Sequence, residues 1–147
     1  MICDNKKLSI LKSKIYKLGS KLGLSNDSDL YPLFSNDEHV FSDGVSVYSD
    51  ESGYHYIETE RGKPVKKIDC NSIEDILYYI FEDITFSLAL NYELEHRRAN
   101  EDSRRLLFDK QLKLLNRISA DYANKYQCEI DEILKNTLIR IYQFEKI

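Results

Sequence analysis

VSVYSDESGYHYIETERGKPVKKI, residues 45–68, is the stretch that decides the fold. Val45, Val47 and Tyr48 precede a turn signal at Asp50 to Gly53, and Tyr54, Tyr56 and Ile57 follow in a β-rich run that ends at Arg61-Gly62-Lys63-Pro64. Val65 to Ile68 supplies a third such run. Three short β-rich runs joined by two turns predict a three-stranded antiparallel meander, which is stable only when a helix covers one face.

That helix follows directly. Ser72, with Asp75 three residues on, is an N-cap and capping-box-like start, and Ile73, Ile76, Leu77, Ile80, Phe81, Ile84 and Leu88 continue it. Residues 76–92 are apolar nearly all round, so this central helix is expected to be buried on several sides. Upstream, Leu8, Leu11, Ile15, Leu18 and Leu22 form one face of a first helix, with Lys12, Lys14, Lys17 and Lys21 largely off that face and Gly23 as a stop. Its lysines read as a solvated face, since its aromatic content is too low for a membrane anchor. Residues 24–43 are rich in Ser, Asn and Asp and interrupted by Pro32, which reads as loop with room for one short strand. Downstream, Leu106, Leu107, Leu112, Leu115 and Ile118 mark a third helix, and Tyr122, Tyr126, Ile130, Ile133 and Leu134 a fourth. The expected fold class is α+β: a short three-stranded antiparallel meander packed against a long central helix with further helices around it, in one domain over residues 1–147.

Composition bounds the function. At 147 residues, 42% hydrophobic and 31% charged, the chain has the makeup of one folded domain. A net charge of −4 argues against direct nucleic-acid binding, which needs clustered Lys and Arg. The distribution says more: residues 1–23 carry six Lys against Asp4 alone, whereas residues 24–60 contain no Lys or Arg and nine acids. Cys3, Cys70 and Cys128 are scattered, so neither a disulfide framework nor a zinc knuckle is expected. No apolar run reaches the length of a membrane span or follows the N-terminus as a signal peptide would, so a cytoplasmic protein is expected.

Candidate chemistry is sparse. Glu93 and His96 form a Glu-x-x-His on one helical face, as in di-iron bundles, but such sites need a second copy of the motif and two more helical Glu. No GxSxG elbow, P-loop or dinucleotide fingerprint can be written, so no cofactor is expected. Glu82 and Asp83 interrupt the apolar stretch about 100° apart, so at least one should face the interior. A buried carboxylate needs a partner, and Arg97, Arg104 and Arg105, with His96, are the expected cations of a buried polar network. A metal- or carboxylate-dependent enzyme built on Glu82, Glu93 and His96 is the alternative; a generic protein-interaction adaptor is another.

The acidic segment carries the functional expectation. Asp37, Glu38, Asp43, Asp50 and Glu51 are interleaved with Phe41, Tyr48 and Tyr54, and no cation lies among them. Acids steer and aromatics supply contact area, a combination suited to capturing a basic protein surface.

Finally, Gly53-Tyr54-His55-Tyr56, Glu60-Arg61-Gly62, residues 78–86 (YYIFEDITF), residues 92–97 (YELEHR) and residues 104–108 (RRLLF), with Gln111-Leu112, resemble the Immunity protein 63 family of bacterial polymorphic-toxin systems. The resemblance covers roughly residues 53–134. It implies a cytoplasmic antidote, not an enzyme, that binds a cognate toxin domain. Together with the charge asymmetry it makes a toxin with a basic face, such as a nuclease groove, the expected partner.

Overall fold

The computed structural model describes residues 2–24, 33–34, 44–97 and 103–145. In chain order these form α1 (Ile2–Gly19), which tightens into a 3-10 turn (Ser20–Leu22), then β1 (Leu33–Phe34), β2 (Gly44–Asp50), β3 (Gly53–Glu60), β4 (Lys63–Cys70), α2 (Ile73–His96), α3 (Ser103–Ile118) and α4 (Ala120–Glu145). The chain divides into two compact units, residues 1–84 and residues 85–147, with the boundary inside α2.

In the first unit the expected meander is present, and β1 extends it to four strands in the order β1-β2-β3-β4. β1 pairs parallel with β2, within the stretch expected to be loop with one short strand. Two tight turns set the antiparallel register. Asp50 faces Gly53 across the first and Glu60 faces Lys63 across the second. At the second, Arg61 and Gly62 have φ of 52° and 76°. Positive φ at both central residues is what a type I′ hairpin requires. A register shift after Glu58 sets Thr59 opposite Pro64. Proline, which donates no hydrogen bond, is tolerated on β4 because that strand is an edge, and Lys63, Lys66 and Lys67 keep the edge polar.

Burial then sorts the faces. Val45, Val47 and Tyr56 are buried on one side of β2 and β3, Tyr48, His55 and Ile57 on the other, whereas most of β4 is exposed. α2 lies on the Tyr56 side, where the Tyr79 ring sits 6.4 Å from Tyr56 and Tyr78 meets Tyr79 edge-on. Its N-cap forms as expected, the Asp75 N–H donating to Ser72 Oγ at 3.2 Å. Ile76, Leu77, Tyr78, Ile80, Phe81 and Ile84 are buried, whereas Phe86 and Leu90 later in the same apolar stretch are exposed, so the burial expected over residues 76–92 holds for its first half. α1 contributes Leu8, Leu11 and Ile15 to the core, and Lys7 Nζ donates to the Asp50 carbonyl at 3.3 Å. Gly23, with φ of 80°, ends the helical run where the sequence places a stop.

In the second unit α3 and α4 are separated only by Ser119, whose N–H still donates to the Leu115 carbonyl at 2.9 Å. They share a core of Leu114, Leu115, Ile118, Tyr126 and Ile130. A buried polar chain ties it together: Gln111 Nε2 donates to Thr85 Oγ1 at 3.2 Å, and the Tyr126 hydroxyl donates to Gln111 Oε1. α4 continues past Leu134 to Glu145. No helix among the described residues is long and apolar enough to cross a membrane.

Candidate protein-binding site

The end of the sheet formed by the β2–β3 turn concentrates polar contacts. Asp50 Oδ1 accepts from the Ser52 N–H at 2.9 Å and from its hydroxyl at 2.6 Å, which shapes the turn. Gly53 then adopts φ of 136°, and a Cβ there would collide with the carbonyl of Cys70, so the turn is pressed against the end of β4. That register carries His55 opposite Asp69. The buried imidazole lies between two carboxylates, Nδ1 at 2.6 Å from Asp69 and Nε2 at 2.8 Å from Asp50, with the Tyr48 ring stacked on it at 4.5 Å. Burial disfavours the imidazolium, but hydrogen bonds to Asp50 and Asp69 outweigh it and raise the His55 pKa. Hydrogen bonds from Ser52 and then His55 hold the Asp50 carboxyl well below the usual range.

Ser52 Oγ also lies 3.1 Å from His55 Nε2, so Ser52, His55 and Asp69 have the spacing of a nucleophile, base and orienting acid. The chemistry does not follow. The protonated imidazole that the two carboxylates favour has no lone pair to accept the serine proton, and that hydroxyl already donates to Asp50. The arrangement is a charged clamp joining β2, β3 and β4.

Exposed acids stand around the clamp, with Lys7 at the Asp50 carbonyl as a cation among them. Glu51, Asp69, Glu74 and Asp75 are exposed, and the half-buried Tyr54 lies close enough to Glu74 that burial, then that negative charge, raise its pKa. Of the residues expected to meet a partner, Glu51 and Tyr54 are on this surface. Of the other two described candidates, Tyr48 is 6% exposed and stacks on His55, whereas the Asp50 side chain stays 48% exposed while its carboxylate is engaged by His55 and Ser52. Asp37, Glu38, Phe41 and Asp43 lie outside the described residues.

The polar residues of the helices are placed differently from the expected buried network. His96, Arg97, Arg104 and Arg105 are exposed, and Glu82 and Asp83 are half-buried. Asp83 answers chiefly to the sheet: burial raises its pKa, the Glu58 charge adds to that, and Lys66 opposes it. The buried acid of α2 is instead Glu93, whose carboxylate accepts from Arg97 Nε at 2.8 Å and Nη2 at 3.0 Å, which lowers its pKa. The reason is azimuthal. Glu93 shares a face with the buried Ala89, and Arg97 one turn later reaches it from solvent. Its neighbour in the Glu-x-x-His turns elsewhere: His96 Nδ1 donates to the Tyr92 carbonyl at 2.9 Å and its ring stacks on Tyr92 at 4.0 Å. Lys110 Nζ covers that Tyr92 ring at 4.4 Å. Among the described residues no three His, Cys, Asp or Glu side chains converge as a metal site.

The clamp residues His55, Ser52 and Asp69 were not singled out from the sequence, although alternation through both strands would have set His55 near Asp69. Residues 50–132, more than half of the chain, match the model of the Immunity protein 63 family. No curated protein and no solved structure matches the chain.

Proposed function

Because the chain belongs to the Immunity protein 63 family, we propose that it is a non-catalytic antidote that binds a cognate toxin domain and neutralises it by covering its working surface. The family match carries this reading, since its residues span both the acidic end of the sheet and most of the helical unit. The disarmed Ser52-His55-Asp69 geometry supports a binding role over hydrolysis.

The docking surface is the acidic segment of residues 37–60, anchored by Glu51 and Tyr54 and extended by Asp69, Glu74 and Asp75. Asp37, Glu38, Phe41 and Asp43 belong to it as sequence candidates, the half-exposed Asp50 stands in it, and the buried Tyr48 shapes it from beneath. The partner presents a basic face, of which a nuclease groove is one form. Carboxylates facing water accelerate encounter, and a half-buried aromatic ring holds the complex once formed.

The test uses the toxin domain encoded beside this gene and binding kinetics at two salt concentrations. Replacing Asp37, Glu38 and Glu51 by Asn, Gln and Gln slows association and flattens its salt dependence. Tyr54→Ala instead speeds dissociation, by about 2 kcal/mol if the ring is a hot spot. Association rates unchanged in the charge variant, with the fold intact, would move the interface off this surface.

A further inference from the structure

The imidazole of His55 shares its two carboxylates with water. The residue is 6% exposed and covered by the Tyr48 ring, yet Asp50 and Asp69, each meeting it through Oδ1 at 2.8 and 2.6 Å, keep side chains 48% and 68% exposed. A lysine or arginine arriving from solvent therefore reaches from outside the same carboxylates that the imidazole holds from within. Ser52 donates its N–H and its hydroxyl to Asp50 Oδ1 at 2.9 and 2.6 Å, so that oxygen stays in place whichever form the imidazole takes. The other charges around the group are Glu51 in the β2–β3 turn, Lys7 of α1 on the Asp50 carbonyl at 3.3 Å, and Glu74 of α2, whose charge acts on Tyr54. With the imidazole protonated, His55, Asp50 and Asp69 together carry one net negative charge. Without the proton they carry two.

We propose that toxin docking is coupled to this proton: a cation of the partner and the His55 imidazolium compete for Asp50 and Asp69, so docking favours the neutral ring. The coupling rests on the antidote reading above and supplies the regulation of its surface. A docked cation beside the imidazolium disfavours it, and binding linkage is reciprocal, so the neutral form holds the toxin more tightly by the same factor. For carboxylates this open to water, one such charge pair is worth up to about fivefold. That factor equals a downward shift of about 0.7 pH unit in the His55 midpoint. Affinity is flat below the midpoint of the complex, rises between the two midpoints, and levels off above the raised midpoint of the free chain. The proton thus stabilises the clamp and weakens docking, so stability and affinity run in opposite directions with pH.

Two measurements on the full chain, with the toxin domain encoded beside this gene, test the coupling. NMR follows the His55 ring through a pH titration. Saturating toxin lowers its midpoint by up to about 0.7 pH unit, and affinity rises up to about fivefold across that interval. A midpoint unchanged or raised by bound toxin overturns the coupling and leaves the antidote reading intact. Calorimetry in two buffers of different ionisation enthalpy reads about 0.4 proton released per chain at the centre of the interval, a release lost in His55→Gln. Equal release from wild type and His55→Gln places the proton elsewhere and also overturns the coupling. Because His55→Gln removes the clamp's cation, a second variant spares the imidazole. Asp69→Asn, made at an exposed side chain, lowers the His55 midpoint of the free chain, and the step in affinity moves down with it. A step that stays in place refutes the coupling. Wild type that binds no toxin at any pH removes the antidote reading, and the coupling with it.

Discussion

At the scale of single residues, His55 shows how position outranks identity. A histidine on a β-strand is ordinarily a weak base near pKa 6.5, but two carboxylates 2.6 and 2.8 Å from its nitrogens favour the cation despite burial. A raised folded-state pKa means that the clamp's stability is fully present below the unfolded value and is lost as pH rises through the folded one. The denaturation midpoint of wild type should therefore exceed that of His55→Gln most at about pH 5.5, with the gap narrowing towards about pH 9. A gap independent of pH would mean that the imidazole packs without being charged. Gln111 is the second such residue, 1% exposed and bonded to Thr85 and Tyr126. Gln111→Leu keeps the volume but removes the acceptor of the Tyr126 hydroxyl, and should cost about 1–3 kcal/mol in urea unfolding. Adding Tyr126→Phe should then cost less than it does in the wild-type background, because the two share one interaction. Additive effects would mean that the two side chains contribute separately.

At the scale of elements, the meander depends on its turns, and the two turns differ in what they tolerate. Arg61 occupies a positive-φ position that L-residues other than Asn and Asp adopt at a cost, and its exposed side chain leaves room for exchange. Arg61→Asn should raise stability by about 0.5–1 kcal/mol, visible as a higher melting temperature. Gly53→Ala should lower it by about 3 kcal/mol, since φ of 136° and the Cys70 carbonyl both exclude a Cβ. Equal, small effects at both sites would show that the β2–β3 turn is not pressed against β4. The helices follow the same logic of local signals. Ser72 and Asp75 start α2, Gly23 ends the first helical run, and apolar spacing marks α3 and α4, so each was legible in the sequence. The junction at Ser119 falls between the stripes that end at Ile118 and open at Tyr122, whereas the run of α4 to Glu145 was not legible, because neither proline nor glycine marks its end.

At the scale of the whole molecule, no ligand cluster converges among the described residues. Protein purified natively should carry no stoichiometric transition metal by elemental analysis. Iron or manganese near one ion per chain, lost on His96→Ala, would instead revive the enzyme reading of Glu82, Glu93 and His96. The chain's own sequence determined what depends on neighbours a few residues apart: strand alternation, caps, helical stripes, and the acidic bias of residues 24–60. It marked the central helix as buried but not which azimuth would be covered, so the expected buried acid was Glu82 or Asp83 and the observed one is Glu93. It counted Tyr48 and Asp50 among the acidic and aromatic candidates, and only strand register, bringing Asp69 to a histidine 14 positions away, buried Tyr48 under the clamp and tied the half-exposed Asp50 into it. Burial and pKa arise from groups brought together across the sheet and between helices, so the tertiary structure decided them, whereas periodicity and capping act within a turn or two and are written in the chain itself.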